Sequence, residues 1–164
     1  MKAKYTIIVI NLLLLLGYFN WSIMAKEHTL EKGHLVLLEL APVDPRSLMQ
    51  GDYMRLNYVI NNIPQGVNLD KRGYCIIKPA KNGVAQKVRF QPDVQPLKAG
   101  ELAIKYFSSG EGFFAGIHIG AESYFFEEGQ AKHYEAAKYG GLMVDDAGNS
   151  VLTGLYDGNY KLLK

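Results

Sequence analysis

The residues best placed to do chemistry sit together: Asp44-Pro45-Arg46-Ser47, then Gly51-Asp52-Tyr53 shortly after. A serine hydroxyl becomes a nucleophile only beside a base. In a Ser/Lys arrangement that base is a lysine kept neutral in an apolar pocket. The stretch after Gly51-Asp52 carries Arg55 but no Lys, and Lys71, Lys78, Lys81 and Lys87 read as loop or strand-end residues. Arg46 offers a planar fork of donors suited to a carboxylate, with Glu39, Asp44 and Asp52 near it in sequence. Such a pair would lock the corner that leads into a strand; the competing reading is a corner that recognises an anion or carboxylate. Asp44 can accept from backbone two residues on, Pro45 presets the turn, and Gly51 supplies a backbone angle or a close approach.

Elsewhere the reactive residue types are scattered. His28, His34, His118 and His133 match no metal-ligand spacing, so no metal and no cofactor are expected. Cys75 is alone in an apolar strand-like run and reads as a small buried hydrophobe. The glycines at 110, 112, 116 and 120 open no helix as a phosphate loop would. Glu122 and Glu128 have Arg46, Arg55 and Arg89 as candidate partners, and nothing local chooses among them. No catalytic set is expected. A net charge of +2 without a basic stripe gives no nucleic-acid footprint.

The elements that must position these residues are mostly strands. The pattern predicts strands over 34–40 and 53–60, the second placing Met54, Leu56, Tyr58 and Ile60 on one face and Tyr53, Arg55, Asn57 and Val59 on the other. Tyr58 is thereby assigned to the core and Tyr53 to an exposed contact. Strands over 73–79 and 86–90 flank Asn82-Gly83, which supplies a tight hairpin turn. A further antiparallel pair is read over 102–107 and 113–119, and a closing hairpin over 142–144 and 151–155. The one helix expected after the N-terminal region is 130–139, packed through Ala131, Tyr134, Ala137 and Tyr139, with Glu127 and Glu128 at its start and Lys138 near its end. The fold class is therefore mostly β (β-rich α+β), one domain over 34–164 with one short helix, as sandwich or partly closed barrel.

Residues 5–25 carry no charge and are flanked by Lys4 and Lys26. At about 1.5 Å per residue, roughly 20 residues cross the hydrocarbon core. Tyr18 and Trp21 fall near the far end, where amphipathic rings sit at the interface. A single N-terminal transmembrane anchor over 1–25 is expected, with 26–33 as a charged connector; a cleaved signal peptide is the rival reading. Lys2 and Lys4 before the span favour the N-terminus inside and the domain outside.

The run Gly51-Asp52-Tyr53 with Leu56 and Tyr58 resembles the signature of the GDYXXLXY family of bacterial membrane-anchored proteins. A second block, Glu122 through Phe126, Glu128 and Gly129 to Tyr134, and the ending 148–155 are similar to that family in the same order. The resemblance implies a single-span protein of the bacterial inner membrane with its domain on the periplasmic or extracellular side. Because members are often encoded beside multi-spanning membrane proteins, it also implies a polytopic partner. Ser47 before Gly51-Asp52 also faintly resembles the serine loop of signal peptidases, although Ser47-Leu48 stands where Ser-Met is usual.

The expected function is a non-catalytic interaction domain, an accessory subunit of a polytopic membrane protein. The alternatives are an envelope Ser hydrolase or peptidase using Ser47, and a small-ligand-binding domain.

Overall fold

The N-terminal apolar run forms helix α1 (Lys2–Lys32), 31 residues long and so about 46 Å from end to end. This is a computed structural model, and it describes residues 2–41, 53–63, 69–109 and 116–163. The helix is long and apolar enough to cross a membrane. Its large side chains stand exposed, among them Leu14 and Trp21. Asn11 and Asn20 turn their amides back onto the carbonyls of Ile7 and Leu16, at 3.1 and 2.9 Å, so each polar group is satisfied within the helix.

The charged segment that links the apolar run to the domain is helical. Glu27, Leu30, Glu31 and Lys32 are good helix formers, so the helix continues until Gly33, whose N–H bonds the Thr29 carbonyl at 3.0 Å. A Cβ on Gly33 would stand 2.5 Å from that carbonyl oxygen. The last turns then dock on the domain. Thr29 is buried, and its Oγ1 lies 3.2 Å from the Ala25 carbonyl and 2.7 Å from Asp145 Oδ2. The shorter contact, to a carboxylate, takes the hydroxyl proton.

Strand β1 (His34–Glu39) follows at once and pairs antiparallel with β8 (Tyr139–Val144), which pairs with β9 (Ser150–Tyr156). A four-stranded sheet runs in the order β4 (Ala85–Gln91), β3 (Arg72–Pro79), β5 (Leu102–Ser109), β6 (Gly116–His118). A small third sheet pairs β2 (Tyr53–Arg55) with β7 (Ser123–Phe125). The two larger sheets meet at the Leu37–Val84 bridge, and again where Lys105 N–H bonds the Gly148 carbonyl and Ser150 Oγ bonds that of Ile119. They wrap one core that includes Val36, Leu38, Tyr58, Ile77, Ile104, Leu142 and Leu155.

The hairpin turns follow their local chemistry. Gly83 takes φ +82° in the β3–β4 turn, and Gly148 takes φ +81° in the β8–β9 turn. Two elements are shorter than their patterns predict. The strand expected over 53–60 keeps its alternation, with Met54, Leu56, Tyr58 and Ile60 all buried. Its ladder with β7 nevertheless stops at Arg55; Tyr58 bridges Leu40, and a 3-10 turn (Val59–Asn61) follows. The helix expected over 130–139 shrinks to α2 (Ala131–Tyr134), followed by a turn that Ala137 N–H closes on the Tyr134 carbonyl, and Tyr139 belongs to β8 between Glu39 and Tyr156. A ladder that buries neighbouring strands outweighs local helix propensity over those residues.

Candidate functional site

The signature residues form two layers. In the inner layer, Tyr58 is fully buried and its hydroxyl donates to the Ala121 carbonyl at 2.7 Å. Burial, and then the nearby Glu122 charge, hold this phenol far above its ordinary value, so it serves as a neutral donor. Its ring rests on the first of the two glycines of β8: a Cβ on Gly140 would stand 2.8 Å from the Tyr58 ring. Leu56 is buried beside it, and its N–H bonds the Glu122 carbonyl at 2.8 Å. Glu122 Oε1 in turn accepts from the Ile119 N–H at 2.6 Å. Leu56, Tyr58 and Glu122 thus tie the β2–β7 pair to the two larger sheets, and their role is architectural.

The outer layer comes from register. Tyr53 pairs with Phe125, Met54 with Tyr124 and Arg55 with Ser123. Alternation sends Met54 inward and leaves Tyr53 and Phe125 side by side on the outer face, ring centroids 5.7 Å apart; Tyr53, expected to be exposed, is half-buried there. Phe125 is 74% exposed, more than the helix residues Trp21 (69%) and Leu14 (68%). Next to this pair, the rings of Tyr124 and Phe126 both pack on Tyr134, at 5.1 and 5.3 Å. Burial and a hydroxyl hydrogen bond with Tyr134 push the Tyr124 phenol up to about 12. Phe126 and Tyr134, singled out from sequence, therefore brace the surface, whereas Phe125 forms it. Glu128 is exposed in the turn before α2, where Gly129 takes φ +84° with open space around it.

Asp44, Arg46, Ser47, Gly51 and Asp52 lie outside the described residues. Arg89, offered as a partner for Glu122 or Glu128, binds Glu101 instead, Nη1 to Oε1 at 2.8 Å. The Glu101 carboxyl also accepts from Lys98 N–H at 2.9 Å. The arginine first and that amide second hold it down to about 2. Cys75 is fully buried, as its apolar setting predicts, and burial pushes its thiol up to about 12. That places it far from the thiolate a nucleophile requires. Among the described residues no cluster of His, Cys, Asp and Glu could hold a metal ion. The closing hairpin was legible in the sequence, but the outward place of Phe125 and the part Asp145 plays in that hairpin's turn were not. In that turn Asp145 accepts from Thr29 and Asn149 side chains and from the amides of Ala147 and Asn149. An Asp three residues before a glycine was its one local signal.

No curated protein and no solved structure matches this chain. A family model does, over residues 15–155, and with both signature blocks inside that range the chain belongs to the GDYXXLXY protein family.

Proposed function

We propose that the chain is a membrane-anchored extracytoplasmic interaction domain, a non-catalytic accessory subunit of a polytopic membrane protein in the bacterial inner membrane. The observation that carries this reading is the outward Tyr53–Phe125 pair, with Phe125 74% exposed and fixed in a ladder. An exposed aromatic such as Phe125, held in a ladder, is the kind of residue interfaces recruit as an anchor, since it buries large area at low entropic cost. Two features support it. The helix that would span the bilayer runs into the domain without a loose connector and is bonded to it through Thr29 and Asp145. Residues 26–32 rise about 10 Å at 1.5 Å per residue, which would hold the domain within reach of a neighbour's loops. Lys2 and Lys4 ahead of the span favour the domain outside.

The test is purification of the tagged full chain from its own membranes in gentle detergent at native expression. A multi-spanning protein is expected with the wild type. Phe125→Ala and Tyr53→Ala should each reduce it about tenfold or more, as truncation of an interface anchor does. If no multi-spanning protein accompanies the wild type, or both variants retain it fully, the reading is wrong.

A further inference from the structure

A cleft of about 470 Å³ lies between the last turns of α1 and the β8–β9 turn, lined on the helix side by Trp21, Met24, Ala25, His28 and Lys32. This volume falls in the range of small-molecule sites, roughly 300–1,000 Å³. The spacing of these helix residues, three or four apart, puts them on one face. Along that face the chemistry changes in one direction, from apolar Trp21, Met24 and Ala25 to His28 and then Lys32. The opposite wall is the turn Asp145, Asp146, Ala147 and Asn149. Asp145 is saturated by the turn and by Thr29. Asp146, His28 and Lys32 line the cleft exposed, and among the described residues their side chains make no ion pair or hydrogen bond.

We propose that this cleft holds the headgroup of a phosphatidylethanolamine-type phospholipid, with its phosphate toward Lys32 and His28 and its ammonium toward Asp146. The inference rests on the proposed membrane span. If residues 5–25 cross the hydrocarbon, Trp21, Met24 and Ala25 fall at its edge, where an acyl chain and glycerol would lie. His28 and Lys32 then stand about 4–11 Å above, at headgroup height. Charge selects the headgroup. A net anionic lipid would meet Lys32 but also face two carboxylates, whereas a zwitterion satisfies both signs. A primary ammonium can donate hydrogen bonds to Asp146; a quaternary ammonium has none to give.

The experiment is native mass spectrometry of the full chain, purified in mild detergent and mixed with equal amounts of phosphatidylethanolamine, phosphatidylglycerol and phosphatidylcholine of matched acyl chains. The expected result is retention of one phosphatidylethanolamine, about fivefold over either competitor. Lys32→Ala and Asp146→Asn, both at exposed positions, should each lower that retention about threefold. Equal retention of the three lipids, no retained lipid on the intact chain, or unchanged retention in both variants would overturn the cleft and leave the anchored reading standing. A purified mass lacking residues 1–25 would overturn the anchored reading itself, and the cleft with it.

Discussion

Tyr58 is held by a hydrogen bond and by close packing on Gly140. Tyr58→Phe keeps the ring but leaves the Ala121 carbonyl without its donor, at a cost of about 1–3 kcal/mol. Gly140→Ala drives a methyl against the ring and its hydroxyl, at about 1–3 kcal/mol of overpacking. Because both act on one contact, the double variant should cost less than the sum, read from urea melts as a coupling term. Phe125→Ala should behave in the opposite way. Its ring is largely in water, so stability should move by no more than about 0.5 kcal/mol while partner binding falls. Loss of folding in that variant would show that Phe125 acts in packing and not as a contact.

Helix α1 and the β8–β9 turn form one unit through Asp145. Burial raises this carboxyl, but the bonds from Asn149, Thr29 and the Ala147 amide outweigh it and hold it below its usual value. A depressed carboxyl contributes stability that is present above its unfolded value, about 3.9, and lost as pH falls through the lower folded value. The Ala147 and Asn149 amide resonances should therefore titrate with a midpoint below about 3.9, and a midpoint at or above that value would contradict the network. Thr29→Val should raise the midpoint and destabilise by roughly 1.5–3 kcal/mol, as loss of a hydrogen bond to a charged group does. Asn11 and Asn20 already bond within the helix. Replacing them with Leu should leave partner co-purification nearly unchanged, whereas a large loss would show that they turn outward to another helix.

At the scale of the whole molecule, the pH dependence of stability and the proposed orientation can be tested. Arg89 and the Lys98 amide hold the Glu101 carboxyl near 2, against an ordinary 4.5. Its contribution is complete above about 4.5 and disappears as pH falls toward 2. Glu101→Gln should lower the melting temperature at pH 7, and the gap to wild type should narrow by about pH 2.5. A gap that stays constant across that range would mean that the ion pair adds nothing. For orientation, alkaline phosphatase fused after Lys164 should be active in a bacterial host, and activity of a cytoplasmic reporter at that position would reverse the proposed topology.

Local chemistry alone determined the apolar N-terminal helix, the hairpin at Asn82-Gly83, the closing hairpin and the inward face of Met54, Leu56, Tyr58 and Ile60. Each is written in residues a few positions apart: a charge-free run, a turn pair, a period of two. The signature blocks also sufficed to indicate the family. Tertiary structure decided the rest. Whether Phe125 or Phe126 faces outward depends on the register of β7 against Tyr53, and a slip of one residue exchanges them. The end of α2 depends on Tyr139 finding Glu39 and Tyr156 in neighbouring strands. The helix docking joins Thr29 to Asp145 across 116 residues of sequence. Partners so far apart leave no periodic trace in the chain, because only the closed core brings them within bonding distance.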